Sequence, residues 1–211
     1  SAIAAPAYAG IPLTHRRMAS TVAFVTGHED PTKEQSDINW PALAGIGTLV
    51  FLMGVKNLTQ ITAALLEAGK VPETPAALIR RGTTPHQQTL TGTLADIATK
   101  ATEHGFRPPA ILVVGQVVDL RQTLGWFENL PLFGRGVLIT RPERQADDLA
   151  RLLADEGANP IPFPTIAIEP PGSWQELDAA INRLEDYGWV IFTSANGVHY
   201  FFERLGQKRK D

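Results

Sequence analysis

A chain of 211 residues with 44% apolar and 19% charged side chains can bury a substantial core, and two small α/β domains suit that length better than one large one. It has no apolar run as long as a bilayer span, and its net charge of −3 falls wholly beyond residue 132, so neither a membrane role nor nucleic-acid binding is expected. Without cysteine there is no disulfide framework and no thiolate chemistry, which fits a cytoplasmic protein.

The opening Ser1-Ala2-Ile3-Ala4-Ala5-Pro6 has neither the basic nor the long apolar stretch of a signal peptide. Residues 21–26 and 48–53 are short β-branched runs closed by Gly27 and Gly54, and each reads as a buried strand. Asn57 stands where it would cap a helix over residues 58–68, with Leu58, Ile61, Leu65 and Leu66 apolar and Gly69 as the stop. Residues 76–79 run into Arg80-Arg81-Gly82-Thr83, and residues 88–92 form another extended piece. Thr93 is expected to cap a helix over 94–103 that Gly105 ends, and 110–114 is a further strand. Helices alternating with apolar strands predict a layered, largely parallel sheet.

At Phe133-Gly134-Arg135-Gly136 the pattern restarts, dividing the chain into residues 1–132 and 133–211. A strand over 137–140 is followed by a helix over 142–156, stopped at Gly157, then by a proline-interrupted strand over 160–168. A helix over 174–184, a strand over 189–193 and a final helix complete a βαβαβα series, the first part of a doubly wound parallel domain.

In open α/β sheets ligands gather beyond the carboxyl ends of strands, so the positions to examine follow Thr26, Met53, Ile79, Val114, Thr140 and Thr193. Gly54 and Gly82 either let the backbone approach a flat ligand or simply turn the chain. The turn Thr193-Ser194-Ala195-Asn196 offers free N–H groups to an anion, though plain helix capping requires no ligand. Arg16-Arg17 and Arg80-Arg81 either clamp a polycarboxylate or lie solvated. The five histidines never reach metal-ligand spacing, so no metal is expected. Ser194 and His199 lack the G-x-S-x-G elbow of a hydrolase, and Val50 and Ile139 stand where a dinucleotide fingerprint needs its third glycine.

The series Ala7-Tyr8-Ala9-Gly10-Ile11-Pro12-Leu13-Thr14-His15-Arg16, Val25-Thr26-Gly27-His28, Leu49-Val50-Phe51-Leu52-Met53-Gly54, Arg81-Gly82-Thr83, Gly92-Thr93-Leu94 and Val113-Val114-Gly115-Gln116-Val117-Val118-Asp119-Leu120-Arg121 resembles the uroporphyrinogen-III C-methyltransferases of the tetrapyrrole methylase family, specifically their C-terminal lobe. Residues 136–205, through Val137-Leu138-Ile139-Thr140-Arg141-Pro142 and Phe192-Thr193-Ser194-Ala195-Asn196-Gly197, resemble the start of uroporphyrinogen-III synthase.

The resemblance implies S-adenosyl-L-methionine as cofactor, with Ser1, Met53 and Gly82 at positions that contact it. It implies uroporphyrinogen III as substrate, methylated at C2 and C7 to precorrin-2, and a homodimer formed through the methyltransferase lobe. His15 and Arg16 before the seam, and Thr193, Ser194 and Asn196 after it, are the candidate substrate contacts. The family's G-x-G-x-G-D loop and its acid–base residues match nothing in these 211 residues, so no catalytic residue is assigned and the chain alone is expected to be inactive. A non-catalytic binding module and a self-associating scaffold are the alternatives.

Overall fold

The computed structural model describes residues 1–27 and 37–208, so His28 lies outside the described residues. The fold is α/β, in two compact units, Ser1–Ile166 and Ala167–Asp211. The seam expected after residue 132 lies inside the first unit.

The first unit begins with α1 (Ala4–Tyr8), β1 (Val22–Thr26), α2 (Trp40–Ala44), β2 (Thr48–Leu52) and α3 (Leu58–Glu67). It continues with β3 (Pro75–Arg80), β4 (Gln88–Thr93), α4 (Ile97–Glu103), β5 (Ala110–Val114) and α5 (Arg121–Leu124). The five strands form one sheet in the order β1-β2-β5-β3-β4. Only β1 and β2 pair in parallel; β2 with β5, β5 with β3, and β3 with β4 are antiparallel, which corrects the expectation of a largely parallel sheet. The crossovers themselves were read correctly, since β2 and β3 run the same way, as do β4 and β5. However, β5 inserts between β2 and β3, and β3 between β4 and β5, so the neighbours oppose.

Both faces of this sheet are covered, which is why its central strands are apolar without alternation. Leu49, Phe51, Leu78, Leu112 and Val114 face α3 and α4, where Leu58, Ile61, Leu65 and Ile97 complete one core. Val50, Ala77, Ile79, Ile111 and Val113 face the other way, onto Ala5 and Ala9 of α1, Ile11 and the turn residues Val117 and Val118. Each fully buried Leu, Val or Phe there contributes about 1.5–3 kcal/mol of transfer free energy.

Helix α3 keeps its apolar residues at i, i+3 and i+7, and its end satisfies two carbonyls at once. Gly69 takes φ 92, and the Gly69 and Lys70 amides donate to Leu66 and Leu65 (3.0 and 2.9 Å). Asn57 does not cap this helix; its Nδ2 donates to the Gly27 carbonyl at 3.0 Å and ties the end of β1 to the start of α3. Nor does Thr93 cap α4. It ends β4, and its amide donates to Asp96 Oδ1 at 2.7 Å.

Beyond α5 the first unit holds a parallel pair, β6 (Gly136–Ile139) and β7 (Asn159–Pro162), joined by α6 (Glu143–Asp155). Proline stops the ladder after Pro162, although the Phe163 and Thr165 amides still reach the carbonyls of Ile139 and Thr140 (2.8 and 3.3 Å). The second unit contains α7 (Gln175–Asn182) and α8 (Ala195–Lys208). The strand expected over 189–193 is not formed: Trp189 and Ile191 are 89% and 84% exposed, and apolar composition cannot substitute for a ladder neighbour. Among the described residues no helix is long and apolar enough to cross a membrane.

Candidate functional site

The ends of β2 and β3 and the start of β5 meet at one edge of the large sheet, where Ala110 pairs with Arg80 and borders Met53 in a pocket. Met53 follows β2 with φ 55, left-handed backbone that an unbranched non-glycine residue adopts only at a cost of about 1–2 kcal/mol. Its side chain is 63% exposed and lines a pocket of about 230 Å³ with Val55, Lys56, Pro108 and Ala110. Arg81 and Thr83, on either side of Gly82, are also left-handed (φ 49 and 71). Strain of this kind persists only where the surroundings enforce it, and it gathers at binding sites.

Gly82 sits hard against α1. A Cβ there would lie 2.5 Å from Ala5 Cβ and 3.1 Å from Ala5 Cα, so only glycine lets the turn and the helix touch. Ser1 precedes the same helix by three residues, its Oγ accepting from the amides of Ile3 and Ala4 (3.3 and 3.2 Å) and its carbonyl from Ala5 (3.2 Å). Ser1 and Gly82 are thus joined through Ala5, at the edge that also carries Met53. The ends of β1 and β2 are cinched together as well: the Gly27 amide donates to Leu52 at 2.7 Å, and Gly27 packs on Gly54.

His15 and Arg16 lie elsewhere on the first unit, in a tight turn closed by two hydrogen bonds between His15 and Ala19 (2.9 and 3.0 Å). Both are exposed, in an open depression whose lining shares no residue with the Met53 pocket. In the second unit Thr193 and Ser194 are exposed, and the Ser194 Oγ and carbonyl accept from Gly197 and Val198 (3.1 and 3.3 Å). That is N-capping of α8, and Asn196 is half-buried in its first turn. On the same helix Arg204 and Lys208 both pair with Asp178 of α7, and chiefly the Arg204 hydrogen bonds, then that of Lys208, hold the Asp178 carboxyl down at about 2.

One set of contacts carries no local sequence signal. Gln87, 4% exposed, accepts the Thr83 amide on Oε1 at 2.9 Å and donates Nε2 to Glu128 at 2.9 Å. Glu128 also accepts Thr89 Oγ1 at 2.6 Å and pairs with Arg121, which donates to the Ala9 carbonyl at 2.6 Å. Gln87 and Glu128 are 41 positions apart, a separation that no local pattern reveals.

Residues 1–98, which hold Ser1, Met53 and Gly82, match the Tetrapyrrole (Corrin/Porphyrin) Methylases. Residues 147–211 match Uroporphyrinogen-III synthase HemD. A uroporphyrinogen-III C-methyltransferase of Bacillus subtilis is 41% identical over 212 residues, covering 100% of this chain and 43% of its own length. An S-adenosyl-L-methionine-dependent uroporphyrinogen III methyltransferase of Methanosarcina barkeri is 56% identical over 126 residues, 59% of this chain and 49% of that protein. The chain spans less than half the length of these relatives. In structure, a cobalt precorrin-4 methyltransferase of cobalamin biosynthesis aligns with TM-score 0.50 and 22% identity over 56% of this chain and 49% of that one, a likeness of fold. The residues that match the methylases are therefore the ones that carry the strained strand-end turns.

Proposed function

We infer that the chain is part of a bifunctional enzyme of tetrapyrrole biosynthesis. Residues 1–132 bind S-adenosyl-L-methionine for C-methylation of uroporphyrinogen III at C2 and C7, giving precorrin-2. Residues 133–211 are the N-terminal portion of a synthase that cyclises hydroxymethylbilane to uroporphyrinogen III. The observation that carries the reading is the strand-end edge that bears both the left-handed Met53 and the Arg81-Gly82-Thr83 turn, on either side of β5, in a chain whose first 98 residues match the methylases.

The residues present fit that cofactor. Met53 offers an exposed thioether beside the apolar surfaces of Pro108 and Ala110, suited to the face of an adenine. At about 230 Å³ the pocket falls below the about 300–1,000 Å³ of a complete small-molecule site, so these residues form one wall of the site. When bound, S-adenosyl-L-methionine would supply an electrophilic methyl group on its sulfonium. The chain's own part is to hold the nucleoside so that ring carbon, methyl and sulfur align. No residue here takes an acid–base role, so binding without turnover is the expected behaviour of the 211 residues alone. His15, Arg16, Thr193, Ser194 and Asn196 are proposed contacts to the tetrapyrrole carboxylates, the methylase portions are proposed to pair as a homodimer, and the location is proposed to be cytoplasmic.

Equilibrium dialysis with labelled S-adenosylhomocysteine, followed by incubation with labelled S-adenosyl-L-methionine and uroporphyrinogen III, tests this reading. Binding without methyl transfer is the expected result. Failure to bind refutes the cofactor assignment, and methyl transfer refutes the assigned inactivity.

A further inference from the structure

The hydrogen bonds around Glu128 close a ring whose two ends carry the proposed cofactor contacts. The Thr83 amide donates to Gln87, Gln87 to Glu128, and Arg121 bridges from Glu128 to the Ala9 carbonyl at the end of α1. From Ala9 the helix leads back to Ala5, on which Gly82 rests. The Trp126 indole adds a second tie, donating to the Ala7 carbonyl at 3.2 Å, and Tyr8 packs on Phe127 at 4.8 Å.

Three features mark this ring as a device for holding one turn. It converges on a segment whose neighbours Arg81 and Thr83 are both left-handed, a conformation that relaxes unless it is held. Gln87 is almost fully buried, and both ends of its amide are used with opposite polarity, which a carboxylate of the same shape cannot do. Finally, the acceptor it meets is a carboxylate already paired with a guanidinium, so the bond into the ring is charge-assisted and stronger than a neutral one.

We propose that Gln87 is a positioning residue for the cofactor, which, through Glu128 and Arg121, locks the Arg81-Gly82-Thr83 turn against α1 in the shape that receives the nucleoside. The inference rests on the cofactor reading given above and adds to it the residue that sets the turn. Gln87→Glu keeps the side-chain shape and the acceptor for Thr83 but turns the donor into a second carboxylate facing Glu128. Pairing it with Glu128→Gln restores one amide and one carboxylate.

The test measures S-adenosylhomocysteine affinity and hydrogen–deuterium exchange over residues 81–87 in the 211-residue chain, in Gln87→Glu and in the Gln87→Glu/Glu128→Gln double variant. The single variant should bind about tenfold more weakly, with faster exchange at the turn, and the double variant should recover part of both losses, the Arg121–Glu128 ion pair being replaced by a neutral hydrogen bond. Affinity unchanged in Gln87→Glu, or exchange unchanged at the turn, overturns the proposal. So does a double variant no better than the single one, because a general loss of stability would not be repaired by swapping the two groups. A wild-type chain that fails to bind, while Gln87→Glu still loosens the turn, instead locates the failure in the cofactor reading, and this inference falls with it.

Discussion

Gly82→Ala isolates the contact between the turn and α1. The new methyl would stand 2.5 Å from Ala5 Cβ and 3.1 Å from Ala5 Cα. Carbon atoms in contact ordinarily sit about 3.5–4.0 Å apart, so the helix or the turn has to withdraw by roughly 1 Å. Ala5 is 4% exposed and its Cβ is anchored to helix backbone, so it has no flexible end to give. Overpacking of this size costs about 1–3 kcal/mol, and because Gly82 is outside the left-handed region alanine returns about 0.4–1 kcal/mol through the unfolded chain. The net cost is about 1–2 kcal/mol, a fall in Tm of about 2–8 °C for a chain of this length. Calorimetry on Gly82→Ala, Ala5→Gly and the double variant reads it directly. Ala5→Gly carries its own helix cost of about 1 kcal/mol, but on that background Gly82→Ala should cost less than about 0.5 kcal/mol further. Equal costs on both backgrounds, or an unchanged Tm, would refute the contact as the reason for glycine.

Met53→Ala should leave stability within about 0.5 kcal/mol, since the side chain is 63% exposed, while lowering S-adenosylhomocysteine affinity severalfold in the same titration; a matched loss of stability would count against a binding role. Arg121→Lys replaces a fork that reaches both Ala9 and Glu128 with a single ammonium and should cost about 1–2 kcal/mol by urea denaturation, with no loss meaning that one of the two bonds is idle. The Asp178 carboxyl, held at about 2 by Arg204 and Lys208, has its folded pKa below its unfolded one, so the bond between α7 and α8 is intact at pH 5 and is lost as pH falls from about 4 towards 2. Carbon-13 NMR of that carboxyl should titrate near 2, and a midpoint near 4 would show that the pairing does not persist in solution.

Helix stops were legible in the sequence, whereas two expected helix caps did not form, for a physical reason. Gly69, Gly105 and Gly157 end their helices in left-handed backbone, a task local geometry alone assigns to glycine. Asn57 and Thr93, in contrast, had other partners within reach once the chain folded, and a side-chain amide or a strand-end residue goes to whichever partner packing presents. Apolar runs located the central strands β2, β3 and β5 but not their neighbours, because a buried strand looks the same whichever way its partner runs. At the site, Met53 and Gly82 stood out as strand-end residues, and the structure brings Gly82 to Ser1 through Ala5, a contact that the sequence separates by more than seventy residues. Gln87, Thr89, Arg121 and Glu128 were illegible because their roles exist only as mutual hydrogen bonds across β4, its preceding loop and the residues after β5.

The most direct test of the strand-end site is nitrogen-15 NMR of the 211-residue chain titrated with S-adenosylhomocysteine. Shifts concentrated at Met53, Gly54, Gly82 and Thr83, with Ser194 and Gly197 unmoved, are the expected result. Shifts confined to the turn at Thr193–Asn196, or none at saturating ligand, would contradict it.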